Sequence, residues 1–140
     1  MPWKSGLAGH SDADVLCHAV MDALLGAAAL GDIGRHFPDT DPQWKDARSL
    51  DLLANTAGML RARGYALVNT DATIIAQEPR LAEHIDTMRA NLADALDLGA
   101  DAVSVKASTA ERMGAIGRSE GIAVLAVATV REEGGKHEDL

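Results

Sequence analysis

Cysteine is nearly absent from this sequence, and so are aromatic side chains: its 140 residues include one Cys, one Tyr, one Phe and two Trp. A lone Cys17 excludes an intrachain disulfide scaffold and fits a reducing cytoplasm. Aromatics at 3% leave no stacking platform for single-stranded nucleic acid. No apolar run reaches the roughly 20 residues that a membrane helix needs. The N-terminus also lacks a basic segment followed by a long apolar stretch, so no secretory signal is predicted. Basic residues are scarce beside acidic ones, 13 against 21, for a formal charge of −8. That balance disfavours nonspecific nucleic-acid binding and requires local cations or metals for any anionic substrate. Against these absences stands an apolar content of 47% in a chain long enough for one sizeable core. One α+β domain is predicted over 1–130, with a polar, frayed tail, "REEGGKHEDL", over 131–140.

The pattern along the chain alternates helices and strands. Ser11 and Asp14 make a capping box, predicting a helix from Ser11 to about Ala29 that Gly31 and Gly34 end. The loop "GDIGRHFPDTDPQWKDA" follows. Leu50, Leu53, Ala57 and Leu60 predict a second helix from Ser49 to Gly64. "YALVNTDATIIA" (65–76) reads as a strand. Pro79 opens a third helix whose Leu81, Ile85, Met88, Leu92 and Leu96 recur at helical spacing. A short strand over 102–108 and a longer, buried strand over 121–130 flank the glycine-rich "TAERMGAIGRSEG". There is no internal repeat.

The first helix carries an unusual surface. Asp14, His18 and Asp22 fall at i, i+4 and i+8 on one stripe, roughly opposite Leu16, Ala19, Val20, Ala23, Leu24 and Ala27. A solvated face with His18 paired to its acidic neighbours explains the stripe. So does a metal site, with His18 as ligand and its second ring nitrogen oriented by a carboxylate. His10 and the helix start at Ser11 fit a phosphate. One imidazole is not a zinc site, which takes three or four ligands. Asp32 between glycines, and Asp39 and Asp41 beside prolines, are also ordinary turn residues. On sequence alone Glu111 and Arg112 read first as loop charges, and His36, His84 and His137 as surface residues. Asp71 and Thr73 alternate on a strand and face either solvent or a subunit contact. Glycines 114, 117 and 121 are a weak phosphate signal.

Four motifs in order, "HSDADVLCHAVMDALLGAAALGDIG", "FPDTDP", "DATIIAQEP" and "KASTAERMGAIGRSEGIA", span almost the whole chain. Together they resemble the 2-C-methyl-D-erythritol 2,4-cyclodiphosphate synthases of non-mevalonate isoprenoid synthesis. The resemblance implies an α+β fold with a mixed sheet, helices on one face, and homotrimers whose active sites lie between subunits. It implies attack of the 2-phosphate of 4-diphosphocytidyl-2-C-methyl-D-erythritol 2-phosphate on the nearer phosphorus, which expels CMP and closes the 2,4-cyclodiphosphate. The nucleophile is already ionised, so catalysis rests on in-line positioning and charge neutralisation.

By the same resemblance, His18 is a ligand for zinc or another divalent cation, and Glu111 belongs to a magnesium or manganese ion on the diphosphate. His10 and Ser11 meet the erythritol phosphate. His10 and Thr109 are the catalytic candidates, stabilising charge in the transition state. Asp32, Ile33 and Gly34 form the substrate loop. Phe37, Pro38, Asp39, Thr40 and Asp41 form the segment that closes on the erythritol. The cytidine pocket takes Ala76, Gln77, Glu78, Pro79, Arg80, Leu81 and Ala82 together with Ala107 and Ser108. Arg80 stands where a lysine is common. Ala110, Ala115 and Arg118 complete the substrate-adjacent stretch.

One departure stands out. Family members begin with a strand ending in Gly-x-Asp-x-His, whose Asp and His supply two of three zinc ligands. No Asp-x-His precedes His10 here. The expectation is weak zinc binding and impaired turnover by this polypeptide, the other reading being a noncatalytic trimer that binds cytidine nucleotides. A different metal-dependent phosphoesterase using His10, His18 and Asp14 is a further alternative, marked by hydrolysis in place of cyclisation.

Overall fold

The computed structural model describes the backbone of residues 4–38, 48–76, 82–108 and 122–133, and side chains from Ala13 onward apart from Ala82. Three longer helices lie against one face of a three-stranded mixed sheet of order β2-β1-β3. Helix α1 spans Lys4–Ala27, the single turn α2 Ile33–His36, and α3 Ser49–Ala62. Strand β1 (Tyr65–Ala76) is central; α4 (Ile85–Leu96) crosses over to β2 (Val103–Ser108), and β3 is Ile122–Glu132. β1 and β2 run parallel, and β1 and β3 antiparallel, with an irregularity between Leu67 and Asn69. The α+β reading with helices on one face holds. Among the described residues, no helix is long and apolar enough to cross a membrane.

The largest difference from the sequence reading is at α1. It is already helical from Lys4, so Ser11 lies inside it and is not an N-cap. A capping box stabilises a helix start only where the preceding backbone leaves the helix, and here it does not. The phosphate site expected at a helix N-terminus beside Ser11 is therefore not formed by such a terminus. The other end also moves. Leu30 N–H donates to Leu25 O at 2.8 Å and Ala29 N–H to Gly26 O at 3.0 Å, closing α1 in a Schellman turn. Ala29 takes the left-handed position, at φ 57°, where glycine is usual. Gly31, at φ 96°, turns the chain only afterwards, and a Cβ there would lie 2.9 Å from Arg35 Cδ.

Burial rotates the expected apolar stripe of α1. Leu16, Cys17, Val20, Met21, Leu24, Leu25 and Ala28 are buried, whereas Ala27 is exposed and Ala19 and Ala23 are half-buried. They meet Leu53, Ala57 and Leu60 of α3, Leu92 and Leu96 of α4, and the inner face of the sheet. Thr56 is also buried, its hydroxyl donating to Leu52 O at 3.0 Å. The third helix starts later than its apolar spacing suggests: a 3-10 turn occupies Ala82–His84, α4 begins at Ile85, and Pro79 and Leu81 lie outside the described residues. Arg89 braces the crossover by donating to Val103 O at 2.6 Å and Ala100 O at 2.7 Å.

β3 is not the buried strand its composition suggests. Ile122, Val124, Ala126, Ala128 and Val130 pack against the core, but Leu125 and Val127 stay 65% and 66% exposed on the opposite face. The strand continues through Arg131 and Glu132, and Glu133 N–H donates to Gly64 O at 2.6 Å. The first residues assigned to the tail thus belong to the sheet. Asp71 and Thr73 pair with Val127 and Leu125 across this open face. Lys106 Nζ holds Asp71 Oδ2 at 2.9 Å, and that hydrogen bond keeps the Asp71 carboxyl below its usual range. The pair's stabilisation is present above the ordinary carboxylate pKa and lost as pH falls through the lowered one.

Cys17 is enclosed between α1, α3 and α4 beside a small apolar cavity of about 30 Å³ lined also by Leu16, Leu50, Met88 and Leu92. Burial pushes its thiol up to about 12, with the Asp14 carboxylate adding to the shift. The thiolate is the reactive species, so iodoacetamide at about pH 8 is expected to label Cys17 slowly in the native chain and readily in denaturant. Mass spectrometry over a labelling time course checks this; fast native labelling contradicts it.

Candidate active site

Three groups of the candidate residues can be placed. The first is the His18 stripe of α1. His18 and Asp22 are exposed and Asp14 is half-buried, so the stripe turns away from the core. Among the described residues, no three His, Cys, Asp or Glu side chains come together as a metal set. His18 thus offers one donor, fitting a cation site as a single ligand and not as the set.

The second is the loop between α1 and α3. Asp32 is the N-cap of α2, its Oδ1 accepting from Arg35 N–H at 3.1 Å. Asp22 Oδ1, from α1, accepts from Ile33 N–H at 3.0 Å. His36 Nε2 donates to Leu30 O at 2.7 Å, closing the loop on itself. Phe37 N–H donates to Ile33 O at 2.8 Å, and the Phe37 ring is buried in the core. Asp32, Ile33 and Gly34 are therefore held in one defined turn, with Asp32 and Gly34 open to solvent. Pro38 is half-buried. His36 is not the plain surface residue expected from sequence; it is half-buried and pins the loop. Asp22, read only as part of the acidic stripe, also has a specific partner. Its signal in the sequence was modest: an acid one helical turn after His18 and just ahead of a glycine-bounded loop.

The third is the carboxyl edge of the parallel strand pair. Ile74 pairs with Ala107 and Ile75 with Ser108, so Ala76 ends β1 beside the end of β2. Ala107 and Ser108 are exposed and Ala76 is buried. The chain leaving β1 toward residue 77 and the chain leaving β2 toward residue 109 start side by side. Ligands commonly bind beyond the carboxyl ends of parallel strands, where departing loops offer free backbone groups. Asp39, Thr40, Asp41, Gln77, Glu78, Pro79, Arg80, Leu81, Thr109, Ala110, Glu111, Ala115 and Arg118 lie outside the described residues, as do the side chains of His10, Ser11 and Ala82.

The model of the YgbB family matches residues 1–131. The chain belongs to the YgbB family. Proteins named 2-C-methyl-D-erythritol 2,4-cyclodiphosphate synthase are close relatives. The one from Alkaliphilus oremlandii is 55% identical over 130 residues, covering 93% of this chain and 83% of that protein. The one from Chromohalobacter salexigens is 58% identical over 134 residues, covering 96% of this chain and 83% of that protein.

Solved structures share the architecture. The bifunctional IspDF of Campylobacter jejuni matches with a TM-score of 0.80 and 44% identity, over 84% of this chain and 32% of that longer one. The IspF of Plasmodium falciparum, solved as a CDP complex, matches with a TM-score of 0.74 and 26% identity, over 86% of this chain and 72% of that one. The noncatalytic alternative gains no support from these relatives.

Proposed function

We propose that this chain converts 4-diphosphocytidyl-2-C-methyl-D-erythritol 2-phosphate into 2-C-methyl-D-erythritol 2,4-cyclodiphosphate and CMP. The observation that carries the reading is the identity of 55% over 93% of the chain to a protein named for this synthase. An oxygen of the 2-phosphate bonds to the phosphorus nearer the erythritol as that phosphorus loses its bond to the bridging oxygen, which leaves with the electron pair on CMP. No proton need leave the phosphate nucleophile, so alignment and charge neutralisation carry the rate.

The residues divide the work. Asp32, Ile33 and Gly34 hold the erythritol diphosphate end, with Pro38 through Asp41 closing over it; Phe37, expected in that segment, has its ring buried in the core and serves as the segment's anchor. His10 and Ser11 hold the 2-phosphate, and His10 and Thr109 donate to the developing charge. Ala76 through Ala82, with Ala107 and Ser108, hold the cytidine, and Ala110, Ala115 and Arg118 flank the phosphates. The CDP bound by the Plasmodium relative supports a cytidine nucleotide as ligand.

Zinc or another divalent cation is assigned to His18, and magnesium or manganese to the diphosphate beside Glu111. Bound there, the cations would neutralise phosphoryl oxygen charge. Among the described residues His18 is a lone donor for that cation, and one imidazole holds zinc weakly. The chain works as a homotrimer with sites between subunits, a reading supported by the open sheet face bearing Leu125 and Val127. A cytoplasmic location agrees with a single, buried, unpaired Cys17.

The test is incubation with the diphosphocytidyl substrate and divalent cations, followed by 31P NMR. CMP and a cyclic diphosphate in equal amounts are expected, with turnover abolished by a chelator and restored by added cations. CMP accompanied by a linear product refutes cyclisation and favours a hydrolase. Tight CDP binding without CMP release refutes the enzyme.

A further inference from the structure

A four-residue helix cannot hold its own shape, because one turn costs more conformational entropy than its few hydrogen bonds return. The turn α2 is such a helix, so its conformation is set by tethers. Two polar tethers are internal to the loop, from Asp32 to Arg35 and from His36 to Leu30. They shape the loop, and the buried Phe37 ring anchors its far end in the core. Asp22 anchors its near end to α1. Its Oδ1 lies 3.0 Å from Ile33 N, eleven residues away in sequence and on a different element. Ile33 N–H is one of the orphan donors at the start of α2, and a carboxylate is the strongest acceptor a side chain can bring to it. Asp22 is also one helical turn beyond His18 on the same exposed stripe.

We propose that Asp22 is a positioning residue: by accepting from Ile33 N–H it holds the Asp32–Gly34 turn beside the His18 face of α1, in register for substrate. This rests on the proposed function, in which that turn contacts the substrate. Asp22 itself need not touch substrate. Its free energy is spent on orienting a loop, and loss of such orientation raises the concentration of substrate needed more than it alters the bond-making step.

Two variants separate the possibilities. Asp22→Ala removes the acceptor and suits a helix interior, so α1 should persist by circular dichroism. Asp22→Asn keeps an acceptor oxygen at the same place without the charge. In Asp22→Ala, exchange of the Ile33 amide, followed by NMR on the free protein, should speed up about tenfold. KM for CMP release should rise about tenfold while kcat changes by less than about threefold, and Asp22→Asn should recover most of both losses. Unchanged Ile33 exchange in Asp22→Ala overturns the tether. Faster exchange with an unchanged KM overturns the positioning role while leaving the proposed function standing. Asp22→Asn behaving like Asp22→Ala, or a fall in kcat without a change in KM, overturns it as well. A wild-type chain that releases no CMP refutes the proposed function and takes the role with it, whatever the amide does.

Discussion

Replacing Leu24 by Ala is expected to lower the free energy of unfolding by about 2–5 kcal/mol, among the largest effects open to a single substitution here. Leu24 is fully buried on α1 and belongs to the core formed with α3, α4 and the sheet. Truncation loses the transfer free energy of the removed methyl-bearing carbons and leaves a cavity that the surroundings refill only in part. Helix propensity does not offset this, since Leu and Ala are both good helix formers. Domains of this size are stable by about 5–15 kcal/mol, so the variant forfeits a large share. Urea unfolding should show a lower midpoint with an unchanged slope. Ala27→Ser, at an exposed position on the same helix, should shift stability by less than about 1 kcal/mol. A Leu24→Ala loss below about 1 kcal/mol would contradict the packing described.

The second large effect concerns the open face of the sheet. Leu125→Asp is expected to leave the fold intact and to abolish assembly, and with it CMP release. Leu125 is 65% exposed in the single chain, so a charge there costs the isolated domain little. Across it stands Thr73, next to Lys106 in the register, with Val127 and the Asp71–Lys106 pair on the same face. In a homotrimer that buries this face, three copies of an unpaired carboxylate would be desolvated together, at a cost of several kcal/mol each. Sedimentation should report a trimer for the wild type and a monomer for the variant, with matching circular dichroism spectra. A variant that stays trimeric places the contact on another surface. A monomeric variant that still releases CMP refutes sites between subunits.

Much of this molecule was legible from the pattern of its residues. The alternation and β-branched content of 65–76 marked β1 to its ends, and Ser49 marked the start of α3. Both are local signals, expressed wherever a strand or helix face meets a core. Four motifs in order were enough to name the family, because their spacing is shared along nearly the whole chain. Other features depended on what the rest of the chain does around a local pattern. A Ser-x-x-Asp pattern suggested a helix start at Ser11, but capping is a competition, and the helical backbone from Lys4 decided it. A run of Ile, Val, Leu and Ala over 122–130 suggested burial on both faces, yet helices cover only one.

The site divides along the same line. The types of groups available were written in the sequence: an imidazole at 18, a loop of Asp32, Ile33 and Gly34, and small residues ending β2. Their chemistry depends on atoms within each side chain, which no fold alters. Only the tertiary structure decided that Asp22 and Ile33 meet, that His36 turns back on Leu30, and that the ends of β1 and β2 lie side by side. Asp22 and Ile33, like the two strand ends, belong to different elements, and such contacts form only after the core has set those elements in place.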